Sequence, residues 1–297
     1  MPAASAPVVV VTGATAGLGY FTAEQLAAEG ARVVLAARSA ERSARAADGI
    51  RAQVPGADVR TVRLDLADLD SVRRGAAELS ELGPIDALVN NAGVLGSARR
   101  AETVDGHELM YGTNHLGHFA LTALVLPALA ADGRVVHLGS IARRFVRRNE
   151  SDRESRRYRS FRSYCRSKLA VMLTGFELAQ RMREAGRTQL SIVAHPGYAV
   201  DELSERRAAL PDAATGTALS RALHSLFAQG KDAGAEPTVA AAIGADARSG
   251  DFLGPSGWQQ LRGTPVPVFA RPHAHDRRAA ARLWRDSEEA TGVRFDL

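Results

Sequence analysis

What most constrains this chain is a regular alternation. From the N-terminus to about residue 195, short β-branched runs are followed by Ala- and Leu-rich stretches of helical length. Strands joined by crossovers of this length pair in parallel, and a parallel sheet buries both faces beneath its crossover helices. The pattern predicts strands at Val8–Val11, Arg32–Ala36, Asp58–Leu64, Ala87–Asn90, Arg134–Leu138 and Ser191–Ala194. Helices are expected between them, near 17–29, 40–53, 69–82, 105–130 and 162–186. This is an α/β chain of Rossmann type, a doubly wound parallel sheet flanked by helices. Beyond Tyr198 the pattern loosens. Helical segments are expected around 202–230 and 236–246, a last strand at Phe252, and a terminal helix over 274–290 with Leu283 and Trp284 on its apolar side. No linker rich in Pro, Gly or Ser divides the 297 residues, so one domain is expected. Within it, residues to about 195 form the cofactor-binding core and catalytic helix, about 198–235 a substrate lid, and about 236–297 the C-terminal completion.

Composition narrows the class further. With 45% hydrophobic and 24% charged residues the chain has the make-up of a soluble globular protein with a packed core. Its single cysteine, Cys165, excludes an intramolecular disulfide, and the N-terminal apolar run Val8–Val11 ends at Thr12-Gly13, far short of a signal segment or a membrane span. A cytoplasmic protein is therefore expected. The net charge of +5 is local: ten arginines against three acids between Ile141 and Arg166 leave the remainder slightly negative. A nucleic-acid partner is not expected, because such proteins spread charge over a face and interleave aromatic residues for stacking.

Directly after the first strand comes Thr12-Gly13-Ala14-Thr15-Ala16-Gly17-Leu18-Gly19, opening into helical sequence. Glycine lets backbone approach an anion closely, and a helix start adds free N–H groups and the positive end of its dipole. The turn reads as a phosphate cradle, with Gly13, Thr15, Ala16, Gly17, Leu18 and Gly19 along it. Its G-x-x-x-G-x-G spacing differs from the common G-x-G-x-x-G, and a turn without ligand can share its composition. The second strand ends Leu35-Ala36-Ala37-Arg38-Ser39, with Arg38 where an NAD-binding chain carries a ribose-binding acid. An arginine there can pair with a 2′-phosphate that a carboxylate would repel, which favours NADP(H) over NAD(H). Exposed arginines after strands are also common without any such role.

Tyr164-Cys165-Arg166-Ser167-Lys168 lies on the long helix that follows the arginine-rich stretch. Positions i and i+4 share a helical face, so Tyr164 and Lys168 project side by side. A phenol is a poor acid or base at neutral pH, and a neighbouring ammonium favours the phenolate and brings its pKa down. The pair is a candidate for proton transfer, although the same spacing also occurs in helices that only pack.

These residues, with Asp65-Leu66, Asn90-Asn91-Ala92-Gly93, Asn114, Ser140 and Pro196-Gly197 in order, resemble the short-chain dehydrogenase/reductase family over nearly the whole chain. Arg38-Ser39, Asn114-His115-Leu116-Gly117-His118-Phe119, His195-Pro196-Gly197 and the closing Leu283-Trp284, Ser287-Glu288 and Thr291-Gly292 are similar to its retinol-dehydrogenase-like and WW-domain-oxidoreductase-like branch. The resemblance implies Tyr164 as general acid/base and Lys168 as its partner and a ribose ligand. It implies Ser140 as the group that holds the substrate oxygen, and Asn114 as the anchor of a proton-relaying water. It also implies Asp65 at the adenine, Asn91, Ala92 and Gly93 along the cofactor, Pro196 and Gly197 beside the nicotinamide, and Ser39 and Leu66 on the cofactor. Ser140 and Asn91 independently fall at strand ends, where open α/β folds bind ligands.

Two features depart from the resemblance. Where many relatives carry a Thr four residues after Pro-Gly, this chain has Asp201, which a pyrophosphate would repel unless the carboxylate turns away or is paired. The arginines of 143–162 are the second. They either steer an anionic or carrier-bound substrate or form a solvated loop in a chain with only two lysines.

The expected activity is hydride transfer between NADP(H) and a carbonyl or alcohol carbon of a small, lipophilic or polycyclic substrate. The apolar residues Tyr198, Leu203, Leu210, Leu219 and Leu226 of the lid point that way. A redox-neutral reaction on bound NADP(H), or a dinucleotide sensor without turnover, are the alternatives. No metal is expected, since His115, His118 and His195 lack ligand spacing. Cys165 reads as a packed apolar residue, Trp284 with Phe295 as core or subunit contact, and a homo-oligomer is possible.

Overall fold

The computed structural model describes residues 6–96, 99–142, 158–210 and 226–297. Its first half alternates strictly: β1 (Val8–Thr12), α1 (Gly17–Ala28), β2 (Arg32–Ala37), α2 (Ala40–Gln53), β3 (Val59–Arg63), α3 (Leu69–Ser80) and β4 (Ile85–Asn90). Two helical pieces, α4 (Leu109–Tyr111) and α5 (Gly117–Val125), precede β5 (Leu129–Leu138). Then come α6 (Ser160–Glu184), β6 (Leu190–Ala194), the two-residue β7 (Ala199–Val200) and β8 (Gln229–Gly230), α7 (Lys231–Ile243), β9 (Phe252–Pro255), β10 (Pro265–Pro267) and α8 (Arg277–Thr291).

Eight strands form one sheet in the order β10-β9-β6-β5-β4-β1-β2-β3. All neighbours are parallel except β10, which returns antiparallel along β9. The expected doubly wound fold is therefore present. Its winding reverses between β1 and β4, and the crevice at such a switch, at the C-terminal ends of the strands, is where α/β sheets take ligands.

The valines of β1 explain why the layers hold. Val9 and Val11 face the core beneath α1, α2 and α7, and Val8 and Val10 face the core beneath α3, α5, α6 and α8. Val9, Val10 and Val11 are fully buried, each contributing about 1.5–3 kcal/mol of side-chain burial. Trp284 of α8 is buried and stacks at 4.4 Å on Phe295, so of the two readings of this pair the core contact is the one observed.

Several expected boundaries change. The helix expected over 105–130 is broken: residues Gly112–Leu116 form a π turn between α4 and α5, and β5 starts at Leu129 rather than Arg134. Helix α7 starts at Lys231, not at 236, and the strand β10 gives no signal in the sequence. The described part of 202–230 begins with a 3-10 turn at Asp201–Leu203, is helical at 226–227 and ends in β8, which pairs parallel with β7. Arg207 forks onto Glu24 of α1 at 2.7 and 2.8 Å, and Ala209 packs on Gly49 of α2. The described start of the expected lid therefore runs outward across α1 and α2. Leu219 and most of the arginine-rich stretch lie outside the described residues.

Candidate active site

The phosphate turn is shaped by close approach. Gly13 and Gly19 admit no side chain: a Cβ on Gly13 would stand 2.8 Å from Ala92, and one on Gly19 would stand 2.3 Å from Asn91 Nδ2 and 2.6 Å from the Gly13 carbonyl. Gly13 also has a φ of +66°. The turn thus closes tightly over the end of β4, and α1 starts at Gly17 with no side chain capping its first turn. Uncapped N–H groups beside a glycine cradle fit a dinucleotide's phosphates. Thr15, Ala16 and Leu18 are half-buried along the same turn.

Thr12, the last residue of β1, organises the floor. Its hydroxyl accepts from the N–H of Asn91 at 3.0 Å and of Ala92 at 2.9 Å, and lies 2.9 Å from His118 Nε2. His118 Nδ1 is 3.0 Å from the Asn114 carbonyl, which can only accept. Burial holds His118 near pKa 4 and hence neutral. These constraints assign the proton to Nδ1, so Nε2 accepts and the Thr12 hydroxyl donates to it. One hydroxyl is thereby saturated by two amides and a ring. The sequence reading missed this role of Thr12 and His118; the NHLGH string contained the residues, but no spacing rule pairs a helix histidine with a strand threonine.

Asn114 sits in the π turn, a distortion that often marks functional sites. Its Oδ1 accepts from the Val94 N–H at 2.8 Å, and its Nδ2 donates to Ser167 Oγ at 2.9 Å and to the Val94 carbonyl at 3.2 Å. Gly93 lies between Asn114 and Lys168: a Cβ there would be 3.5 Å from Asn114 Oδ1 and 3.6 Å from Lys168 Nζ. Lys168 Nζ donates to the Leu138 carbonyl at 2.8 Å, and burial pushes its pKa down to about 8.

Tyr164 lies one turn earlier on α6, half-buried, with the Ser140 side chain just past β5 near enough to its phenol to bear on its pKa. The expected lowering of the Tyr164 pKa by Lys168 is not what this geometry gives. Burial raises it, with the Ser140 side chain opposing. Cys165 is buried about 100° round the helix from Tyr164, its thiol pushed up to about 11, as befits a packed residue.

The remaining expected residues surround this group. Arg38 is exposed at the end of β2, and Ser39 caps α2 by accepting from the Arg42 N–H at 3.3 Å. Asp65 is half-buried after β3, one oxygen accepting from the Ala67 N–H at 3.0 Å, and Leu66 is buried. Pro196 and Gly197 follow β6, where the Pro196 carbonyl accepts from Gln229 Nε2 at 2.9 Å. A Cβ on Gly197 would collide with the Leu261 carbonyl at 2.3 Å. Asp201 is paired: Lys231 Nζ stands 2.6 Å from its carboxylate.

Residues 7–207 match the short chain dehydrogenase family. Human retinol dehydrogenase 13 is 34% identical over 292 residues, 96% of this chain and 84% of its own length. The crystal structure of an uncharacterised protein from Mycobacterium Paratuberculosis superposes with a TM-score of 0.78 at 37% identity, covering 100% of this chain and 99% of the other. A short chain dehydrogenase from Burkholderia cenocepacia in complex with NADP superposes at 0.63 with 25% identity, over 83% of this chain and 94% of its own. No helix among the described residues is long and apolar enough to cross a membrane.

Proposed function

The chain belongs to the short-chain dehydrogenase family, and on that premise we propose that it is an NADP(H)-dependent oxidoreductase acting on a ketone or aldehyde, or the matching alcohol, of a lipophilic metabolite. The carrying observation is that Tyr164 and Lys168 of α6, Ser140 just past β5 and Asn114 of the π turn come together at the C-terminal edge of the sheet beside the glycine turn.

The dinucleotide, when bound, supplies or takes up the hydride. The chain's own residues do the rest. The uncapped start of α1 and the turn from Gly13 to Gly19 hold the phosphates, with Asn91, Ala92 and Gly93 as the floor. Arg38 and Ser39 take the 2′-phosphate, Asp65 and Leu66 border the adenine, and Pro196 and Gly197 flank the nicotinamide end. Ser140 and Tyr164, neighbours in the site, turn both hydroxyls to one substrate oxygen. Tyr164 donates its proton as that oxygen becomes a hydroxyl, or accepts it in reverse. Lys168, with a pKa near 8, stays largely protonated at neutral pH, holds the ribose and favours the phenolate as it forms. Asn114 completes the path by which that proton is replaced.

NADP(H) is supported by Arg38 at the end of β2 and by the NADP in the Burkholderia structure. A lipophilic substrate is supported by exposed apolar residues near the ends of the expected lid. Tyr198, Leu226, Phe227 and Trp258 are all exposed, with Phe227 and Trp258 rings 6.1 Å apart. The retinol in a relative's name agrees. The test is a fluorescence titration with NADPH and NADH, then a panel of lipophilic carbonyls read by loss of nicotinamide absorbance. NADPH-selective binding with carbonyl-dependent oxidation supports the reading. Tight binding with no oxidation on any carbonyl shifts it to a redox-neutral enzyme or a sensor.

A further inference from the structure

Of the 38 basic residues in this chain only Lys168 and Lys231 are lysines. The first stands in the candidate active site. The second opens α7, and its side chain crosses to the phosphate turn. A Cβ built on Gly17 would lie 3.2 Å from Lys231 Nζ, with the stem carbons Cδ and Cε at 3.5 and 3.8 Å. Gly17 is the first residue of α1, has a φ of +58°, and its helix start carries no side-chain cap.

The placement of this ammonium is built by several independent contacts. β7 and β8 pair in parallel, which sets Asp201 and Lys231, the residues directly following each strand, next to one another. The Lys231 N–H donates to Ser204 Oγ at 2.8 Å, fixing the backbone from which the side chain departs. Asp201 then holds Nζ at 2.6 Å. The carboxylate is the more exposed partner, 62% against 23% for the lysine side chain, so the pair is oriented with its positive end inward toward the turn. An ammonium has three donor hydrogens, and one carboxylate does not exhaust them.

We propose that Lys231 is a ligand of the dinucleotide's pyrophosphate and that Asp201, in the place where many relatives carry a threonine, is the counter-ion that positions it. This rests on the dinucleotide reading above and deepens it. An isolated carboxylate at position 201 would repel the phosphates, whereas an Asp201–Lys231 pair presents a fixed cation to them. It also joins cofactor binding to the two ends of segment 201–230, because the residues that grip the phosphates are the ones that close that segment.

The experiment is a set of fluorescence titrations with NADPH and NADH on wild type, K231M, K231R, D201N and K231M/D201N, each first shown to melt cooperatively. K231M weakens NADPH and NADH by the same factor, about ten-fold, since the pyrophosphate is common to both and a hydrogen bond to a charged group is lost. K231R recovers most of the affinity. Removing Asp201 from K231M tightens binding again by about three-fold, because the carboxylate left unpaired there repels the phosphates. A pair that only staples the fold gives a different pattern: K231M binds both dinucleotides as wild type does, or K231M/D201N binds no more tightly than K231M. Either result overturns the assignment and leaves the dinucleotide reading standing. Wild type that binds neither dinucleotide overturns both.

Discussion

Two residues carry the sharpest chemical statements. Tyr164→Phe removes one hydroxyl and little else, so turnover should fall by about 10²–10⁴-fold, the usual worth of a positioned proton donor, with the NADPH dissociation constant nearly unchanged. Steady-state kinetics beside a binding titration checks this, and an unchanged kcat would sink the acid/base role. Arg38→Asp should weaken NADPH by about ten-fold or more relative to NADH, since it replaces a phosphate partner with a like charge; an equal loss for both dinucleotides argues against a 2′-phosphate contact. Both residues were legible in the sequence because their chemistry is peculiar to their type. The direction of the Tyr164 pKa was not. It is set first by burial in the packed site, which no spacing along a helix reports.

At the scale of elements, the end of β1 and the π turn between α4 and α5 act as one unit through Thr12 and His118. Thr12→Val keeps the shape and removes the hydroxyl. It leaves the half-buried Ala92 N–H without its acceptor and takes the donor from His118 Nε2, while the Asn91 N–H keeps the Val89 carbonyl at 2.9 Å. We expect a loss of about 3 kcal/mol, from an orphaned-group cost of 1–3 kcal/mol each with partial relaxation. Urea unfolding measures it, and a loss under 0.5 kcal/mol would show that the threonine is not the keystone described. Strand and helix positions in the first 195 residues followed from apolar periodicity, whereas the π turn did not. Its cause is a set of side-chain bonds from Asn114 to Val94 and Ser167, and periodicity carries no trace of such partners.

Across the whole molecule, the three histidines His115, His118 and His137 are buried around one small cavity between α5, α6 and the sheet. Burial lowers them to about 3, 4 and 3 respectively, and each further charge in the group adds repulsion. The folded protein therefore holds them neutral where the unfolded chain, with pKa near 6.5, takes up protons. Stability from this source is full above about pH 6.5 and falls as pH drops toward 4, with a slope approaching 4 kcal/mol per pH unit for three protons at about 1.4 each. Urea midpoints at pH 7.0, 6.0 and 5.0 read this directly. His115→Gln, which retains a donor toward Ser287, should remove about a third of the slope; a slope that variant leaves unchanged would place the acid sensitivity elsewhere.

By itself the sequence determined the doubly wound sheet, the glycine turn at the end of β1 and the Tyr164–Lys168 pair. Each is encoded by residues close together in the chain: alternating apolar runs, a cluster of glycines, a spacing of one helical turn. Tertiary structure alone decided which groups those residues meet. It paired Asp201 with Lys231 across 30 positions and tied Thr12 to His118 across 106. It also carried the start of the expected lid onto α1 through Arg207 and Glu24, 183 positions apart. Periodicity reports the face a side chain presents. Its partner is set by which elements the sheet order brings side by side, and that order is a property of the packed core as a whole.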